Sequence, residues 1–424
     1  MEGFCLPEEV LELLFPLLPP RLAGTLAAVA SSWSITIARS DHVWRRWAQA
    51  QWPWWPDGAL VEQPDGLPGA VRRAFQLRVH QERRTDELLL EVGGEKTEAA
   101  QRELLVGGPY TKYRVFQQAQ TPSPDLSQHF FARRMARRLV VYEANQRLAS
   151  LLQAVAAVEG DRTQRRAAEA GAHRHPEAWL ERGAMLIERY AKHGHAALQR
   201  AGPIDEVAAD SDANYVATRI TALAEAARTR LPGSSQGSAG PLAIVRAACH
   251  VLFEEEKIRG DEDAYYNPQN SFLSDVLRRK KGIPISLCTL LAAVCARLGV
   301  ALGAVSFPMT FHLVLPASHE LGPEDPLYID AFGGGVIKSR DEMVAWLRAH
   351  NFTGAVQPQW FAPCASGEVW SRMLRNLVGI AQQQGQRQNS EVLQLRLLTS
   401  MLATASTASA HQDQTAQVRL PDDV

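Results

Sequence analysis

The chain has 424 residues, 46% of them apolar and 21% charged, which is ordinary globular usage and excludes a wholly disordered polypeptide. That length allows two or three domains. Lys+Arg is 45 and Asp+Glu is 46, a formal net charge of -1, which argues against a general polyanion binder, so no nucleic-acid partner is expected. Five scattered cysteines (Cys5, Cys249, Cys288, Cys295, Cys364) form no C-x-x-C pair; this argues against a disulfide framework or zinc ribbon and fits a reducing compartment. No metal or cofactor is expected.

Six of the ten tryptophans (Trp33, Trp44, Trp47, Trp52, Trp54, Trp55) lie in the first 55 residues, which predicts a compact aromatic unit there. Pro7, Pro16, Pro19 and Pro20 divide it into short helices, because proline opens or ends a helix. Helices are predicted at 71–85 and 96–105 within a mixed region of turns. From 127 to 231 the chain reads as strongly helical, with Arg133, Arg134, Arg137 and Arg138 forming a solvated basic face. Residues 233–240 read as a flexible loop. Helices follow at 242–256 and 285–298, the second closed by Gly299. Short strands are predicted at 304–307, 311–315 and 327–329, then a turn at Gly333-Gly334-Gly335 and a helix at 340–349. Helices return at 368–384 and 389–403, ahead of a polar tail.

The N-terminal residues carry a recognisable pattern. Leu6-Pro7-Glu8-Glu9 places proline and acids in a first helical turn, where both are favoured. Leu18-Pro19-Pro20, Val29, Trp33 and Trp44-Arg45 follow in order. This segment, residues 4–50, resembles an F-box. The resemblance implies docking onto the Skp adaptor of a cullin-based ubiquitin ligase, through Leu6, Pro7, Val10, Leu14, Leu18, Trp33 and Trp44. A unit of this size is marginal alone, so a partner would complete its apolar surface.

A second pattern lies further along. Gly282-Ile283-Pro284-Ile285-Ser286-Leu287 opens a helix, Asn270-Ser271 gives a helix N-cap signal, Phe311-His312-Leu313-Val314 reads as a strand, and Tyr328-Ile329-Asp330 leads into Phe332-Gly333-Gly334. A helix, a strand with His and a strand ending in Asp suit a Cys-His-Asp nucleophilic site. These residues resemble the SirB-type branch of the transglutaminase-like fold, from about Trp179 to Trp346. The resemblance places the nucleophilic cysteine at Pro284 and the histidine at Thr310, so the usual mechanism is not available. Cys288, one turn beyond Pro284, with His312 and Asp330, is the alternative constellation for a thiol hydrolase or acyltransferase. Against it, Cys288 and Cys295 are seven apart on an apolar helix, as core residues are, and Asp330 can serve simply to cap the glycine turn.

Trp370 through Leu402 reads as a helical hairpin, similar to the tetratricopeptide-like pair that follows the core in SirB-type proteins, with Arg372-Met373-Leu374-Arg375 at its start. The three parts together resemble the F-box only protein 21 family, without the hemimethylated-DNA-binding-type domain that ends its members. The expected architecture is mainly α with a small β component (α+β): F-box at 4–50, connecting region at 51–126, helical region and degenerate transglutaminase-like core at 127–350, hairpin at 366–403, disordered tail at 404–424. The expected function is non-catalytic: a substrate receptor of an SCF-type ligase, with Skp adaptor, cullin and an unknown target protein as partners. No run approaches 18 apolar residues and no basic residue precedes Arg21, so neither a membrane span nor a secretory signal is expected, and the chain is placed in cytoplasm or nucleus.

Overall fold

The structure, a computed structural model, describes residues 41–52, 70–94, 97–121, 125–166, 179–231, 239–317 and 325–383. Leu6, Pro7, Val10, Leu14, Leu18 and Trp33, the second arm of the predicted hairpin and the predicted tail lie outside them. The chain divides into two compact units, up to Met135 and from Ala136.

In the first unit, α1 (Asp41–Gln51) buries Val43, Trp47 and Ala48, one apolar stripe at helical spacing. It packs on α2 (Ala70–Glu91). Trp44 lies edge-on to Trp47 at 5.0 Å and tilted against Phe75 at 5.2 Å. Trp52 is buried and donates its indole N–H to Glu82 at 2.6 Å. The Arg78 guanidinium sits 4.0 Å from the Trp52 ring. Both Arg78 and the ring are enclosed by the unit. α3 (Thr97–Val106) and α4 (Pro109–Gln120) pack back on α2. Arg114 reaches Asp86 at 2.9 and 2.6 Å, and Arg84 reaches Glu103 at 3.0 and 2.8 Å. Helix α5 (Leu126–Arg166) begins in the first unit and continues past Ala136 into the second. Of its four arginines, one departs from the expected solvated face: Arg138 is only 3% exposed and shares a side of the helix with buried Met135 and Val141, while Arg133, Arg134 and Arg137 are partly exposed.

The second unit is built round one helix. In α11 (Pro284–Arg297) every residue from Pro284 to Cys295 is buried, the pattern of a helix apolar on all sides and enclosed. Pro284 occupies its first turn, as expected. Its two polar residues are satisfied locally. Ser286 donates to the Asn270 carbonyl at 2.6 Å, and Thr289 donates to the Ile285 carbonyl at 2.8 Å. Gly299 follows with φ of 86°, the left-handed helix exit that its identity predicts.

Around α11 lie α6 (Trp179–Glu188), α8 (Glu206–Arg228), α9 (Pro241–Cys249) and α10 (Leu273–Arg279), while α7 (Gly194–Arg200) links α6 to α8. π-Helical turns at Arg189–His193 and His250–Glu255 extend α6 and α9. A short parallel pair, β1 (Arg259–Gly260) and β2 (Lys281–Gly282), brackets α10. Asn270 does not cap α10, whose first residue is Leu273. Its side chain instead donates to Asp261 at 3.1 Å and to the Ala264 carbonyl at 2.8 Å, and accepts from Arg279 at 2.8 Å.

The main sheet is antiparallel in the order β3 (Gly303–Val305), β4 (His312–Leu315), β5 (Leu327–Asp330), β6 (Val336–Lys338). Val305, Val314 and Tyr328 form a cluster with Met343 and Leu347 of α12 (Arg340–Ala349). A reciprocal Ser339–Glu342 capping box starts α12. The chain continues through a 3₁₀ turn at Pro358–Phe361 to α13 (Ser366–Gln383), which packs on α6. The described architecture is therefore mainly α with a small β component, as expected. Among the described residues no helix is long and apolar enough to cross a membrane.

Candidate functional site

Register places the predicted site residues. Leu313 pairs with Ile329 across β4–β5, so His312 stands opposite Asp330 and on the same face. Val314 opposite Tyr328, and Tyr328 opposite Lys338, belong to that face too. It is the face covered by α12. The imidazole is 1% exposed and lies edge-on to Phe307 at 5.7 Å and to Trp346 at 6.3 Å.

Asp330 and His312 meet only loosely. The His312 Nδ1 is 4.0 Å from Asp330 Oδ1, beyond hydrogen-bond length. Asp330 is engaged elsewhere. Lys338 donates to Oδ2 at 2.7 Å, and the Gly333 N–H donates to Oδ1 at 2.9 Å. The second bond is the turn cap that the glycines suggested. Burial works against the charged carboxylate, but Lys338 and Gly333 outweigh it and hold Asp330 below the usual range. For His312, burial dominates over the attraction of Asp330 and pulls the imidazole down to about 4, so it is neutral at pH 7. Neither of its ring nitrogens has a hydrogen-bond partner among the described residues.

Cys288 belongs to α11 and is fully buried. Its thiol donates to the Phe311 carbonyl at 3.5 Å, so it meets the backbone just ahead of β4 and is not hydrogen-bonded to the His312 imidazole. Burial pushes the thiol far above its ordinary range, and the negative charge of Asp330 adds to this. A nucleophilic thiol needs the opposite: a lowered pKa, access and a base in reach. The structure thus draws His312 and Asp330 together and leaves Cys288 as a core residue. Cys295 is equally buried, as its spacing implied.

Pro284 and Thr310 stand where the resemblance puts the thiol and imidazole. Pro284 is buried at the helix start. Thr310 follows Met309, whose φ is 67°. The Thr310 carbonyl accepts from Arg372 of α13 at 2.9 Å, and the same guanidinium donates to Ser306 Oγ at 2.7 Å. Arg372 and Lys338 were not among the predicted site residues. Arg372 was legible only as part of the Arg-Met-Leu-Arg stretch, and Lys338 sits on a strand that alternation did not show.

Those positions can be set against known proteins. Residues 214–375 match the transglutaminase-like superfamily model. The match starts later than the sequence reading put it and runs further, taking in the start of α13 and Arg372. A UPF0162 protein of Vibrio cholerae is 38% identical over 104 residues, covering 24% of this chain and 37% of that protein. A UPF0162 protein of Xylella fastidiosa is 33% identical over 174 residues, covering 40% of this chain and 58% of that protein. F-box only protein 21 of Mus musculus is 33% identical over 153 residues, covering 35% of this chain and 24% of that protein. The chain thus spans between a quarter and three-fifths of the length of these relatives. No solved structure matches it.

Proposed function

We propose that this chain is the substrate-recognition subunit of an SCF-type ubiquitin ligase, and that its transglutaminase-like region is a binding module without thiol chemistry. Residues 4–50 would hold the Skp adaptor, with Leu6, Pro7, Val10, Leu14, Leu18, Trp33 and Trp44 as the contacts. The transglutaminase-like core and α13 would hold the target protein. Bacterial proteins and F-box only protein 21 both match the chain, so similarity alone does not choose a ligase role. The ordered pattern from Leu6-Pro7 to Trp44-Arg45 carries that choice.

The non-catalytic half of the proposal has its own support. Proline at the helix start has no nucleophile, and Cys288 is enclosed with its proton held on. A receptor needs no chemistry of its own, because presenting the target beside a ubiquitin-loaded conjugating enzyme raises the effective concentration. Reconstitution with the adaptor, cullin, RING subunit and conjugating enzyme tests this. Ubiquitin transfer onto the receptor itself is expected to require the intact chain and to run at an unchanged rate with Cys288→Ser. In the same preparation Cys288 is expected to react with a neutral-pH thiol probe only after denaturation. Loss of transfer on Cys288→Ser, in a variant that keeps its melting temperature, would favour the thiol-enzyme reading with His312 and Asp330.

A further inference from the structure

We infer that Arg372 and Arg375 form a carboxylate-reading site on the receptor surface, and that its occupant is an internal Asp or Glu side chain in an extended apolar segment of the target protein. The inference rests on the receptor reading above and names the surface that would read the target.

Arg372 is held from behind. Its Nη1 donates to Ser306 Oγ at 2.7 Å, its Nη2 donates to the Thr310 carbonyl at 2.9 Å, and its Cζ lies 5.3 Å from the Phe311 ring. These are neutral partners. No carboxylate pairs with Arg372 among the described residues, and none with Arg375, one turn further along α13. Glu368, one turn earlier on α13, accepts from the Ala365 N–H at the helix start. Arg372 is half-buried beside neutral partners, an unfavourable setting for a cation, and burial lowers its pKa. Such a preoriented fork, part of it still unused, suits a carboxylate.

The surroundings favour an apolar segment passing through. Met309, next to Thr310, is 67% exposed on a left-handed backbone that a long side chain adopts at a cost. Tyr265, whose hydroxyl lies within the electrostatic reach of Arg372, stacks edge-on with Tyr266 at 5.3 Å and with Phe332 at 6.2 Å. Tyr266 is 58% exposed. An uncompensated cation flanked by exposed Met and Tyr reads as acidic residue between apolar neighbours.

The test uses the intact chain and fluorescein-labelled, C-amidated octapeptide pools with random apolar flanks and either Glu or Gln fixed at the centre. A third pool carries central Gln and a free C-terminal carboxylate. By anisotropy the Glu pool is expected to bind at least about tenfold tighter than the Gln pool, and Arg372→Gln is expected to remove that difference. Arg375→Gln, at an exposed position, is expected to lower Glu-pool affinity several-fold with the melting temperature unchanged, which covers the case of a disturbed loop in the Arg372 variant. Equal binding of Glu and Gln pools, selective binding of the free-carboxylate pool, or indifference to both substitutions would overturn the inference. Adaptor recovery is scored on the same preparation. Recovery without Glu selectivity removes this site and leaves the receptor reading; Glu selectivity without recovery does the reverse.

Discussion

Trp370→Ala is expected to destabilise the second unit by about 3–5 kcal/mol, lowering its melting temperature by roughly 6–20 °C. The indole is 0% exposed. It lies across Gly183 of α6 so closely that a Cβ there would stand 2.0 Å from it. The pair therefore works as one joint: a glycine on one helix makes room for the largest side chain on the other. Removing the ring leaves a cavity that neighbouring helices can fill only partly. The consequence for function is that α13, which also carries Arg372, would lose its anchor. Urea unfolding of the variant measures this, and a loss below about 1 kcal/mol would contradict the packing described. α6 lies outside residues 214–375, yet it forms this joint with the part of α13 that lies inside them.

His312 sets the second expectation. Its pKa falls from an ordinary value near 6.5 to about 4 on folding, through burial. The unfolded chain then binds more protons than the folded one between those values. Stability from this group is therefore present above pH 6.5 and is lost as pH falls toward 4. Between pH 7 and pH 4.5 the loss amounts to about 2 kcal/mol. Asp330 and Lys338 face the imidazole, with Arg372 nearby. The lowered Asp330 acts in the same direction but below its own ordinary value of 3.8, outside this window. Unfolding of the parent and of His312→Leu at both pH values isolates the effect. The variant is expected to lose about 2 kcal/mol less on acidification. An equal loss in both would mean that folding leaves the imidazole's pKa unshifted.

Much of the second unit was legible because local signals and long-range packing agree there. α11 announces itself by Pro284 at its start, a predominantly apolar run and Gly299 at its end. α12 does so by the Ser339–Glu342 box. Strands β3, β4 and β5 were visible as apolar runs, but β1, β2 and β6 were not, since these two- and three-residue strands carry too few apolar residues to read. The π turns after Glu188 and Cys249 likewise leave no mark in a helical pattern. Asn270 misled because its side chain serves Asp261 and Ala264 rather than the next helix. Arg138 misled because paired arginines four apart on a helix do not tell which side is covered.

The site divides the same way. That Asp330 caps the glycine turn followed from residues three apart. That Lys338 holds its other oxygen depends on β6, and that Cys288 bonds to the Phe311 backbone depends on how α11 lies on β4. Neither is encoded in spacing. The enclosure of Val43, Trp47, Ala48 and Trp52 in the first unit also bears on how the N-terminal segment should be probed. Cutting the chain after Pro56 would strip that core, so point substitutions ahead of it are the cleaner instrument.

The most direct measurement is recovery of the Skp adaptor and cullin by the intact chain, beside a Leu6→Ala, Pro7→Ala variant with the same melting temperature. The ligase account predicts that the parent recovers both and that the variant loses them almost entirely. Equal recovery by both chains, or none by either, would contradict it and leave residues 4–50 as a helical cap on the first unit.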